Sequence, residues 1–294
     1  MIDLKIALPK GFLDEEVRCG YTVTNKMKEV WAVEIDLLME FNRVCEKAGI
    51  KYYIDAGSLL GAVREQGFIP WDDDIDLVMF RDEYEKLLTV AQYEFKEPYF
   101  FQTPYTEKGY WRGHAQMRNS LTTAIVDNEK GMYTFNQGIF LDIFILDGVH
   151  GDCSMVEKQK KEALSVQKKE RIMRQGQISL GTKARLLRTF YKVVGKKHID
   201  FYREWENIIK RYSVNECENV APLGFVFETE KRIRNRHLYD KTVWLPFEFI
   251  KVPAPVGYDE FLTRRYGNYM EPAKIPTTHG GMFFDTDKSY REYI

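Results

Sequence analysis

The sequence predicts an α+β fold: a mixed sheet flanked by helices, with a basic helical insertion at about 155–215. Three observations carry this. An early stretch repeats its apolar residues at intervals of three and four. Short apolar, β-branched or aromatic runs then follow one another between turn residues up to about 150. Finally, a proline-free, Lys/Arg-rich segment interrupts the chain before mixed, aromatic-rich sequence returns.

Residues 26–48 form the first expected helix. Trp31, Ile35, Leu38, Phe41, Cys45 and Ala48 line one face, with Lys28, Glu34, Asp36 and Arg43 opposite. Gly49 sits where a helix C-cap belongs, and 50–54 then reads as a strand. Gly57-Ser58 leads into a short apolar helix over 59–63, and 67–70 is a turn. The run 75–79 reads as a second strand, followed by a helix over 82–91 with Asp82 as its N-cap. Among the strands expected between 93 and 150, the clearest is 138–146, apolar apart from Asp142 near its centre. Between Glu157 and His198, thirteen lysines and arginines face three glutamates. No linker divides the chain, so 1–294 is expected as one domain.

The 294 residues suffice for a core without staples, and 43 Lys+Arg balance 44 Asp+Glu, which argues against a dedicated nucleic-acid binder. Cys19, Cys45, Cys153 and Cys217 are scattered without a Cys-x-x-Cys pair, suiting buried free thiols better than zinc or a disulfide framework. No apolar run reaches membrane-spanning length and the N-terminus lacks a signal core, so a cytoplasmic protein is expected. Peripheral association with the inner membrane face stays open.

The sharpest local signal is Asp72-Asp73-Asp74-Ile75-Asp76 beside an apolar strand. Residues two apart on a strand share a face, so Asp74 and Asp76 can meet one ion. Carboxylates held close repel unless a cation lies between them, and magnesium accepts such a pair while taking phosphate oxygens as further ligands. A solvated acidic turn is the competing reading. The following strand, the preceding Gly57-Ser58 turn and the lone Asp142 in a second apolar strand weigh against it. A small turn, paired carboxylates on a strand and one more on another strand is the order found in the nucleotidyltransferase fold.

The segments 53–64 and 67–77 closely resemble the signature of the LicD family. Arg81 to Lys86, Arg118 with Thr122-Thr123, Gly138 to Gly148 and Tyr266-Gly267-Asn268-Tyr269-Met270 continue the resemblance in order. It implies a nucleotidyltransferase-like fold and metal-dependent transfer of a phospho-alcohol from a CDP-linked donor to a hydroxyl of a cell-surface glycan. Teichoic acid, capsule and lipopolysaccharide precursors are the acceptor classes it suggests. Phosphocholine from CDP-choline is the first expectation for the donor, with ribitol or glycerol phosphate the alternative. It further implies Mg²⁺ or Mn²⁺ held by Asp74, Asp76 and Asp142. Asp142 or Asp72 would take the acceptor proton, and Gly57, Ser58, Arg64, Arg118 and His279 would contact phosphate or substrate. Two departures stand out. Ala56-Gly57-Ser58 replaces the family's usual Gly-Gly-Thr, with little change expected, and the C-terminal motif near His279 lacks its arginine.

Tyr99, Phe100, Phe101, Tyr105, Tyr110 and Trp111 offer material for a choline cage, or ordinary core. The basic stretch 157–198 carries Leu164, Ile172, Leu186, Leu187, Phe190 and Val194, which would suit contact with anionic lipid and a lipid-linked acceptor. A solvated helical hairpin is the alternative. An RNA- or nucleotide-binding protein of the same superfold is the reading from a different class. No RNA-binding motif supports it, and no nucleic-acid partner is expected.

Overall fold

A computed structural model describes residues 1–174, 180–228, 232–272 and 281–294. A hairpin of β1 (Glu16–Arg18) and β2 (Tyr21–Val23) leads into α1 (Asn25–Ala48). The Thr24 hydroxyl caps α1 by accepting from the Met27 N–H, and Gly49 ends it at φ 63°, the left-handed conformation that favours glycine. The expected helix is therefore present, but of its expected polar face only Arg43 is exposed. Lys28, Glu34 and Asp36 are buried beside the apolar residues. The chain before α1 covers that face: Glu16 pairs with the Lys28 ammonium at 2.5 Å, and Asp36 accepts from the Lys5 and Ile6 N–H groups and from the Tyr99 hydroxyl. Amphipathic period cannot foresee a face covered by its own N-terminal arm.

The central sheet is mixed, as expected. Its middle is β4 (Ile75–Phe80) parallel to β8 (Phe140–Val149), in register from Ile75 opposite Leu141 to Phe80 opposite Leu146. The short β3 (Tyr53–Ile54) pairs antiparallel with β4. On the far edge of β8, β6 (Ala115–Asn119) pairs with its first half and β9 (Asn219–Ala221) with its second. Outside these lie β5 (Tyr99–Gln102) on β6 and β10 (Arg234–Asn235) on β9. The continuous apolar runs of β4 and β8 follow from burial on both faces. Each buried Leu, Ile or Val there contributes about 1.5–3 kcal/mol.

Between β3 and β4 lies α2 (Ala56–Arg64), and α3 (Arg81–Glu94) follows β4. Phe80, not Asp82, is the N-cap of α3; Asp82 lies inside the first turn and accepts from the Glu83 N–H. The strand β7 (Thr123–Val126) pairs with β13 (Met282–Asp285), and β11 (Thr242–Phe247) with β12 (Ile250–Pro255). A further helix, α7 (Tyr258–Tyr266), follows β12. The segment expected to be helical holds α4 (Cys153–Met173), α5 (Thr182–Val193) and α6 (His198–Ile209). Helices α4 and α6 share a small core of their own around Val166, Phe201, Tyr202 and Trp205.

Only one thiol fits the expectation of burial: Cys45 is buried, Cys19 and Cys153 are exposed, and all four are free. No helix among the described residues is long and apolar enough to cross a membrane.

Candidate metal and phosphate site

The register of the sheet builds the site. Pairing of β4 with β8 sets Asp76 beside Asp142, and pairing of β8 with β6 sets Gln116 on the other side of Asp142. Asp74 precedes Asp76 by two residues and shares its face. Carboxylate oxygens of Asp74, Asp76 and Asp142 come within 4.8 Å of one another, as do those of Asp72, Asp73 and Asp74. Burial first, then the neighbouring carboxylates, push Asp74 and Asp76 well above the usual range. Two unit charges about 4 Å apart repel by roughly 4 kcal/mol near a protein surface, a repulsion that a cation or a proton between them would relieve. Asp142 behaves differently. Burial works to raise it, but His114 Nε2 at 3.2 Å, the Gln116 side-chain amide donating at 2.6 Å, and the charge of Arg112 hold it below its ordinary value.

Behind the cluster lies Glu34 of α1, 1% exposed, its Oε2 without a hydrogen-bond partner among the described residues. Burial, then the charges of Asp73, Asp72, Asp142 and Asp76, raise it well above the carboxylate range. A buried carboxyl oxygen left unpaired costs about 1–3 kcal/mol unless something outside the protein answers it.

The start of α2 fixes the acidic edge. Ser58 Oγ accepts the Asp76 N–H at 2.9 Å and lies 3.4 Å from the Asp74 carbonyl, while the Asp55 N–H bonds the Asp76 carbonyl. The Ser58 hydroxyl, expected on phosphate, is engaged by the backbone at the start of β4. A Cβ on Gly57 would stand 2.8 Å from Asp72 Oδ2, so glycine lets that carboxylate approach the helix N-terminus. Ala56 occupies φ 45°, in the left-handed region, which gives a physical reason for glycine at the family's equivalent position. The expectation that alanine here changes little is corrected to a local backbone strain.

Both arginines expected on phosphate have protein partners. Arg118 is 2% exposed and donates to Gln102 Oε1, the Gly138 carbonyl and Gln116 Oε1. Burial lowers its guanidinium to about 10, and it donates to the Gln116 amide whose nitrogen in turn donates to Asp142. Arg64 is held by Glu65 at 2.6 Å and the Tyr269 carbonyl at 3.1 Å. His279 lies outside the described residues. Sequence reasoning missed Gln116, Glu34 and Arg265 of α7, whose charge acts on Asp76. Arg265 directly precedes the 266–270 motif, so proximity in sequence was a usable signal.

His114 also lines a cavity of about 270 Å³ walled by Trp111, Tyr202, Trp205 and Phe225. Gly113 and Gly224 allow the two backbones beside it to touch. The Arg174 guanidinium lies 3.7 Å over the Trp111 ring and bonds Glu170, which also binds His198. The aromatic cluster expected between 99 and 111 does not form one cage. Tyr99, Phe101 and Tyr110 are core residues, Tyr105 bonds Glu206, and only Trp111 reaches the cavity.

Residues 49–144 match the family model described as LicD/FKTN/FKRP, nucleotidyltransferase domain. The lipopolysaccharide cholinephosphotransferase LicD of Haemophilus influenzae is 30% identical over 258 residues, covering 83% of this chain and 91% of that protein. The chain belongs to the LicD family. The ribitol 5-phosphate transferases FKRP of mouse and human are 48% identical over 40 residues, 14% of this chain and 8% of theirs. The LicD-family match thus contains Asp72, Asp74, Asp76, His114, Gln116 and Asp142, whereas much of the cavity wall comes from α4 and α6 beyond it.

Proposed function

We propose that this LicD-family protein transfers a phospho-alcohol, phosphocholine before others, from a CDP-linked donor to a glycan hydroxyl. The observation that carries the reading is the junction at His114: one side touches Asp142 of the carboxylate cluster, the other lines the aromatic-walled cavity. A donor lying across that junction would place its pyrophosphate at the aspartates and its alcohol head among Trp111, Trp205, Tyr202 and Phe225. Aromatic faces attract a quaternary ammonium by about 0.5–2 kcal/mol each.

The donor set suits Mg²⁺ or Mn²⁺: oxygen ligands only, crowded together, with a partnerless buried carboxyl behind them. Asp74, Asp76 and Asp142 would hold it. Such an ion, when bound, offsets the pyrophosphate charge and stabilises departing CMP. Asp142 is favoured as ligand over base, since its depressed proton affinity keeps it charged. That leaves Asp72, against the first turn of α2, to accept the acceptor's proton. Arg265 supplies positive charge on the Asp76 side, and Gln116, oriented by Arg118, keeps Asp142 turned toward the site.

Ribitol phosphate is the second reading, favoured by the FKRP likeness and by Glu170 and Arg174 in the cavity, which offer hydrogen bonds to a polyol. Incubation with Mg²⁺, a glycan acceptor and CDP-choline, CDP-ribitol, CDP-glycerol or CDP-ethanolamine separates them. Release of CMP from CDP-choline above the others supports the first reading, and release from CDP-ribitol the second. No CMP from any donor would sink the transferase assignment.

A further inference from the structure

The helix α5 stands apart from every other α-helix among the described residues: none of its residues is buried. Leu186, Leu187, Phe190, Val193 and Val194, the last at its C-cap, are all exposed, Leu186 by 68% and Val193 by 79%. Their spacing of one, three, three and one puts them on a single stripe of the helix. Exposed Lys183, Arg185, Lys192, Lys196 and Lys197 surround the stripe, and no acidic residue occurs between Glu170 and Asp200. Twelve residues are too few for a helix to hold itself in water, and its anchorage is slight: Tyr191 meets Phe201 at 4.9 Å, and Arg188 bonds the Arg174 carbonyl. An apolar stripe of this kind facing solvent calls for a cover.

We propose that α5 docks flat on an anionic lipid surface, its Leu/Phe/Val stripe among the acyl chains and its lysines and arginines at the headgroups. Each basic residue near such a surface tightens binding by about fivefold, and the aliphatic stripe adds the burial that phosphate groups alone cannot reward. That second contribution favours lipid over RNA, whose backbone would use the charge and leave the stripe wet. Because Arg188 is bonded to Arg174 on the cavity wall, docking would bring the mouth of the cavity toward the membrane. The value of that placement for a lipid-linked acceptor rests on the transfer reading, whereas the docking does not.

Sedimentation of the full chain with phosphatidylcholine vesicles, with and without added phosphatidylglycerol, tests this at low and high salt. Binding about tenfold tighter or more to the anionic vesicles is expected, weakened by salt. The pairs Leu186→Ser/Phe190→Ser and Lys183→Gln/Lys192→Gln should lower it about tenfold and about twenty-fivefold respectively, with helix content unchanged by circular dichroism. Equal recovery on both vesicle types would overturn the proposal. So would unchanged binding by the Leu/Phe variant, which would mark simple charge attraction, or a dimer in light scattering that this variant dissolves without any vesicle binding. CMP release from a soluble donor reads out the other claim: lost docking with intact CMP release refutes only the docking, and the reverse refutes only the transfer.

Discussion

Buried carboxylates in and beside the central sheet are treated in two opposite ways. Asp55 meets Arg234 through two bonds of 2.7 and 3.1 Å, with Tyr239 completing the guanidinium's partners. Asp147, at the far end of β8, meets Arg81 at 2.7 and 2.8 Å, and Glu206 of α6 shares that arginine. In these networks each negative charge has a fixed positive neighbour. Next to Asp55, by contrast, Asp74 and Asp76 have no ion pair among the described residues, and Glu34 Oε2 has no hydrogen-bond partner. Burial and mutual repulsion raise all three. A fold that neutralises two sets of buried acids and leaves a third crowded is not short of arginines. The crowded set is where charge is left to be answered from outside.

The largest expected effect breaks the comparison at its functional side. Asp76→Ala should lower CMP release by roughly a thousandfold or more, since a lost metal ligand removes several kcal/mol of charge stabilisation. The variant should fold normally, because removing one crowded carboxylate relieves repulsion; activity near wild type would remove Asp76 from the site. Arg234→Met should act the other way, lowering unfolding free energy in urea by about 3–5 kcal/mol by stranding Asp55 in the interior. A loss below about 1 kcal/mol would show the pair to be dispensable.

A smaller effect concerns pH. Carboxyls whose folded pKa is raised bind more protons folded than unfolded, so stability is highest at low pH and falls as pH rises from the unfolded value, near 4, through the raised one. Asp142 opposes this only below its ordinary value of 3.8. In chelator, the melting temperature should therefore rise as pH drops through the raised range toward about 4, and Mg²⁺ should flatten the trend. A metal-free melting temperature that climbs with pH would contradict the crowding. The smallest effect is local: Ala56→Gly should add about 1 kcal/mol to stability by relieving the left-handed backbone at φ 45°. A destabilised glycine variant would show that the strain is compensated elsewhere.

The contrast also explains what could be read without coordinates. Asp74, Asp76 and Asp142 were legible because two-residue alternation and an acid in an apolar strand are local patterns. Their meeting point depends on the register of β4 with β8, which local pattern does not set, though the family resemblance implied it. Gln116 and Glu34 were invisible for the same reason: one is reached through antiparallel pairing across β8, the other through the approach of α1 to the Asp72–Asp76 edge. Arg118 was chosen for the right charge, yet its direction into the sheet is a tertiary fact. The basic segment was legible as helix from composition, but that α4 and α6 form a core while α5 stays bare was not.

Calorimetric titration of the metal-free protein with Mn²⁺ tests the central claim most directly. The account predicts saturable binding by the wild type, loss of that binding in Asp74→Asn/Asp76→Asn, and retention in Asp82→Asn, whose carboxylate lies outside the cluster. No binding to the wild type, or undiminished binding to the double variant, would contradict it.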